Sequence, residues 1–142
     1  MKIQARFAVA GQLASVPLVR RRISALLSEA PPQVDAEMVA LCAVEALTNC
    51  IRHGRDNRAE SPITLTLTLM PSRIVLTVAD TGRPMDRRLL ARPLSELEGS
   101  DPQREGGRGL LIMRKVMNTV AYKRLRGVNT LTMTLRWRSL RS

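Results

Sequence analysis

"ITLTLTLMPSRIVLTVAD", residues 63–80, holds two alternating apolar segments, 63–70 and 73–80, around a turn-like Pro71-Ser72-Arg73. Alternation of this kind puts every second side chain on one face, so each segment reads as a strand with one apolar side. The short turn makes the pair an antiparallel hairpin. A hairpin with one greasy face does not stand alone in water, so its neighbours in the chain must supply the cover.

Upstream, Leu13, Val16, Ile23, Leu26 and Leu27 recur at helical spacing, with Arg20 to Arg22 on the wet side. Pro17 falls inside this pattern and places the helix start near it. Asp35 follows the "PPQV" break and can cap a second helix running to about His53, with Gly54 as its stop. Residues 2–9 alternate well enough for a first strand. Downstream, residues 81–105 are rich in Gly, Pro and charge and read as a long, irregular connection. "GGRG" (106–109) then leads into a helix ending near Asn118. Strands at 120–125 and 129–137, joined through "RGVN", close the chain. The order β-α-α-β-β-loop-α-β-β predicts an α+β sandwich: one mixed, mostly antiparallel sheet covered on one face by helices.

Composition sets the limits. The chain has 142 residues, 44% of them hydrophobic, which suits one domain over 1–142 with its own core. No apolar run reaches the roughly 18 residues of a membrane span, and the basic N-terminus lacks an apolar signal block, so the expectation is a cytoplasmic protein without a membrane partner. Cys42 and Cys50 would lie roughly 12 Å apart along one helix, too far for a disulfide; they read as small apolar residues. The formal net charge of +11 suits phosphates, nucleic acid or an acidic protein. Only three aromatics are present, Phe7, Tyr122 and Trp137, which weakens the case for single-stranded nucleic acid.

Three elements carry chemistry. On the second helix Glu45, Asn49 and His53 step by four residues, advancing about 40° each time, and so form one slanted stripe. A carboxylate on an apolar helix is expensive to bury alone, so the stripe either reaches solvent or meets a polar partner. His53, at its end, reads as structural. The second element is "VADTGRP" (78–84), where an apolar strand ends in Asp80 and Gly82 follows. A turn explains the pattern; so does a carboxylate that accepts from an exocyclic amine such as adenine's, beside a backbone free to pass close. The third is "GGRGLLIM" (106–113): glycines directly before a helix can aim N–H groups at phosphate, or simply form a loop. No βαβ unit surrounds them, and no Gly-Lys-Ser/Thr follows, which disfavours the Rossmann and Walker A loops.

Together, in this order, "E-A-x-x-N-x-x-x-H-G", "D-x-G" and "G-G-x-G-L" resemble the N, G1 and G2 boxes of the GHKL (Bergerat-fold) ATPase superfamily. The chain is most similar to its anti-sigma factor serine/threonine kinases, over nearly its whole length. The resemblance implies a Bergerat sandwich that binds ATP and Mg²⁺. It implies Glu45 as general base, Asn49 as the Mg²⁺ ligand, Asp80 and Gly82 at adenine, and Gly106, Gly107 and Gly109 along the triphosphate. It further implies Arg104 or Arg108 at the γ-phosphate and Thr130 near adenine. The second glycine of the fuller D-x-G-x-G pattern is replaced by Pro84. The implied partners are a sigma factor, which the protein would sequester, and a STAS-domain anti-anti-sigma protein, which it would phosphorylate. A homodimer is implied, and direct nucleic-acid binding is not. The alternatives are a histidine-kinase-type catalytic domain, which lacks any histidine here besides His53, and a non-enzymatic basic binding module.

Overall fold

The computed structural model describes residues 2–53, 62–95 and 107–138. The strands are β1 (Ile3–Val9), β2 (Ile63–Met70), β3 (Arg73–Asp80), β4 (Thr119–Leu125) and β5 (Val128–Arg136). The helices are α1 (Val16–Leu27), α2 (Ala36–His53), a single turn α3 (Arg88–Ala91), and α4 (Gly107–Val116). The strands form one sheet in the order β1-β2-β3-β5-β4. Each pair is antiparallel, so the described sheet is not mixed as expected.

The hairpin at 63–80 behaves as its alternation demands. Ile63, Leu65, Leu67 and Leu69 of β2 and Ile74, Leu76 and Val78 of β3 are buried against the helices. Threonines 64, 66, 77 and 132 alternate to the opposite side, with Thr66, Thr77 and Thr132 in one cross-strand row. Met70 pairs with Arg73, so Pro71 and Ser72 alone make the turn. At the β4–β5 turn Arg126 and Gly127 take φ of 52° and 79°. Two residues at positive φ give the turn whose twist matches antiparallel strands, and glycine adopts the second without strain.

The helix cover follows from patterning and caps. The Met38 N–H donates to Asp35 Oδ1 at 3.2 Å, so Asp35 caps α2 as expected, and Glu37 lies favourably in the first turn. Val39, Ala40, Ala43, Ala46 and Leu47 form the buried stripe of α2, meeting Val19, Ile23 and Leu27 of α1 and Leu110 and Met113 of α4 in one core. Pro17 sits in the first turn of α1, where its missing N–H needs no acceptor. One expectation shifts: α4 begins at Gly107, so Gly107 and Gly109 lie in the helix's first turn and not in a loop before it. First-turn N–H groups have no helical acceptor anyway, which leaves them free to face a ligand. No described helix is long and apolar enough to cross a membrane.

Candidate functional site

The site forms where α2, the end of β3 and the start of α4 converge. α2 is pinned by its buried stripe, so its Glu45–Asn49 edge is turned toward α4. Gly109 sits directly on that edge. A methyl group placed on Gly109 would lie 3.1 Å from Asn49 Nδ2, 3.2 Å from Glu45 Oε2 and 3.4 Å from Glu45 Cβ. Two residues 60 or more positions away in sequence are thus held against the first turn of α4, whose N–H groups lack helical acceptors and whose dipole favours negative charge.

Beside Asn49 opens a cavity of about 260 Å³. Ala46, Asn49 and Cys50 of α2 form one wall, Val78 and Asp80 of β3 the floor, and residues 83–86 a second wall. Leu110, Tyr122 and Leu131 add apolar surface. Asp80 is 6% exposed at the strand end and accepts the Gly82 N–H at Oδ2, 3.1 Å. A cavity lined mostly by apolar surface, with a carboxylate at the strand end, suits an aromatic base carrying an amine. At the mouth, Arg88 donates to Asp86 through Nε and Nη2, both at 3.0 Å. These bonds hold the Asp86 carboxyl below its usual range.

Cys42 is fully buried, and burial, then the charge of Glu45, push its thiol up to about 12. Such a thiol is inert, in keeping with the reading of Cys42 as a packing residue, while Cys50 is half-buried and lines the cavity. Neither Cys42 nor Cys50 is part of a disulfide.

The structure therefore brings Glu45, Asn49 and Gly109 together, with Asp80 across the adjoining cavity. Gly82 stands next to Asp80, its carbonyl held from the β4–β5 hairpin. Gly107 opens α4 and Arg108 is exposed in its first turn. Arg104 and Gly106 lie outside the described residues. Thr130 is not brought to the cavity. It pairs with Ala79 on β3, and strand alternation turns it to the opposite face, while its neighbours Asn129 and Leu131 line the cavity. Asn129 and Tyr122 were not anticipated. Their signal was present: Asn129 shares the register of Leu131 and Met133, so it is a polar residue in an apolar row.

Among the described residues no three His, Cys, Asp or Glu side chains cluster as a metal cage. The donor set here is a single amide at Asn49 beside a phosphate-favouring helix start. That suits a hard ion sharing its coordination with phosphate oxygens and water, as Mg²⁺ does.

The sequence profile of the histidine kinase-like ATPase domain matches residues 9–135. The chain is similar to the serine/threonine-protein kinase BtrW of Bordetella bronchiseptica, 36% identical over 97 residues, covering 68% of this chain and 67% of that protein. It is also similar to the serine-protein kinase RsbW of Staphylococcus epidermidis, 29% identical over 118 residues, covering 80% and 74%. In fold it matches the crystal structure of the RsbU and RsbW domains of a Mycobacterium tuberculosis protein with a TM-score of 0.67. That match is 15% identical and covers 94% of this chain and 32% of the other.

Proposed function

The chain belongs to the histidine kinase-like ATPase domain family, the GHKL superfamily, and on that premise we propose that it is an ATP-dependent protein serine/threonine kinase and anti-sigma factor. In this reading it sequesters a sigma factor, acts as a homodimer, and phosphorylates a STAS-type anti-anti-sigma protein. The observation that carries the reading is the seating of Glu45 and Asn49 on Gly109, beside a cavity that ends in Asp80. The similarity to BtrW and RsbW supports the choice of a serine or threonine acceptor.

Each residue then has a task. Asp80 accepts from the adenine amine, and the Gly82 N–H orients its carboxylate. Asn49 offers its amide oxygen to Mg²⁺, which supplies charge neutralisation for the phosphates. The first turn of α4 faces the phosphate chain. Glu45 takes the proton of the acceptor hydroxyl as that oxygen bonds to the γ-phosphorus. The bond from γ-phosphorus to the bridging oxygen breaks, and ADP leaves with the electron pair.

The test incubates the protein with labelled ATP, Mg²⁺ and STAS-domain proteins of the same genome, beside Glu45→Gln. The parent should transfer label, and the variant should transfer roughly 10²–10⁴-fold more slowly, the usual share of a general base. Mg-ATP affinity and sigma-factor binding should survive in the variant. Absence of ATP binding by the parent would refute the reading, and parent-like transfer by Glu45→Gln would remove Glu45 from the chemistry.

A further inference from the structure

We propose that Asn129, acting with Tyr122 and Arg124, is a positioning residue that holds the loop after Asp80 in its nucleotide-binding shape. The proposal rests on the reading of the cavity as a nucleotide site.

The loop needs such a hold. Residues 83–86 form one wall of the cavity, yet they belong to no strand, and the backbone around them is short of ladder partners. The β4–β5 hairpin supplies the missing bonds. Asn129 Nδ2 donates to Gly82 O at 3.0 Å and to Arg83 O at 3.2 Å. Arg124 Nη1 donates to the same Gly82 oxygen at 3.0 Å. The Met85 N–H donates to the Tyr122 hydroxyl at 3.0 Å. Gly82, Arg83 and Met85 are thereby tied to one hairpin.

The centre of this network is Asn129, 4% exposed. Its Oδ1 accepts from Tyr122 Oη and from Arg124 Nη1, each at 2.7 Å. An arginine only donates and a carbonyl only accepts, so the amide has one orientation and its four hydrogen-bonding positions are filled. Asn129 therefore lines the cavity without a position left for a ligand. Its influence runs through the wall, and through Gly82 to Asp80, because the Gly82 N–H donates to the Asp80 carboxylate. Asp80 and Asn129 are direct cross-strand partners, which keeps the two ends of this path in register. Pro84 fixes its own φ within the wall, so the loop is preorganised from both inside and outside. A wall already in its bound shape loses less freedom when a ligand enters, which appears as affinity.

Asn129→Asp keeps the size and the acceptor for Tyr122 and Arg124 but turns an oxygen toward two carbonyls. ADP affinity, measured by titration, should fall about tenfold. In the transfer assay KM for ATP should rise by a similar factor, with kcat within about threefold at saturation. Tyr122→Phe removes one hydroxyl and should fold whatever happens to Asn129→Asp. It should weaken ADP binding about threefold and expose the Met85 amide to faster hydrogen exchange. The double variant should be no weaker than Asn129→Asp alone, because both act on one loop. Unchanged ADP affinity in folded Tyr122→Phe and Asn129→Asp, or a fall in kcat with KM unchanged, would overturn the proposal while leaving the nucleotide site intact. A parent that binds no ADP or ATP would overturn both.

Discussion

Gly109→Ala sets helix propensity against geometry. Alanine is favoured over glycine in a helix by about 0.5–1 kcal/mol, so on local grounds the change stabilises α4. The new methyl, however, meets Asn49 Nδ2 at 3.1 Å, Glu45 Oε2 at 3.2 Å and Glu45 Cβ at 3.4 Å. Contacts of 3.1 and 3.2 Å are tighter than ordinary packing, so the two polar tips must retreat by a few tenths of an ångström, whereas 3.4 Å to Glu45 Cβ is already ordinary contact. The two polar tips can rotate away. Glu45 Cβ, fixed to the backbone of α2, stays where it is, so the strain falls on the two side-chain tips, which must leave their rotamers at a cost of about 0.5–1.5 kcal/mol. The two effects are of similar size and opposite sign. The melting temperature should therefore move by no more than about 2–4 °C, the equivalent of about 1 kcal/mol for a domain of this length.

Function has no such compensation. A displacement of 1 Å in a catalytic group can cost about 10²-fold, so a few tenths at both Glu45 and Asn49 should slow phosphotransfer about tenfold and weaken Mg-ATP binding by a similar factor. The assay is a thermal melt beside single-turnover transfer and an Mg-ATP titration on the same preparation. Parent-like transfer and affinity would refute the claim that Gly109 sets the positions of Glu45 and Asn49. A fall of more than about 10 °C would show that Gly109 serves the helix packing first.

Asp80→Asn should weaken ATP binding about tenfold or more and blunt the preference for ATP over GTP. A hydrogen bond to a charged group is worth roughly 1.5–3 kcal/mol, and an unchanged titration would remove Asp80 from base recognition. Asn49→Ala should lose the Mg²⁺-dependent part of ATP binding with the fold intact; an equal gain in melting temperature from Mg-ATP in parent and variant would show that the metal is held elsewhere. Alkaline stability should depend on Cys42, whose thiol is pushed up to about 12 in the folded chain. The unfolded chain releases this proton above about 8.5, while the folded one keeps it. Stability is then full below about 8.5 and falls by at most about 1.4 kcal/mol per pH unit until about 12. Denaturant titrations at pH 8 and 10 should show that loss shrinking in Cys42→Ala, and an identical loss would rule the thiol out as its source.

Much of this molecule is written in local pattern. The alternation at 63–80 determined a hairpin with one buried face, because a period of two leaves a strand no other way to hide its leucines. Pro17 marked where α1 begins and Asp35 where α2 begins, because caps and breakers act within a few positions of themselves. The same local reach marked Glu45, Asn49 and Asp80 as polar groups needing an explanation.

What local pattern did not contain was which distant surfaces meet. The insertion of β5 between β3 and β4 sets Asn129 opposite Asp80, and the alternation of β5 then turns Asn129 inward and Thr130 away. The start of α4 at Gly107 carries Gly109 onto Glu45 and Asn49. The bonds from Asn129 to Gly82 and Arg83 span more than 45 residues of chain. Such contacts are decided by how whole faces pack and which polar groups are left to satisfy one another once water is gone. That competition is resolved only in the assembled core, so only the tertiary structure could say that an asparagine in a strand holds the wall of the cavity.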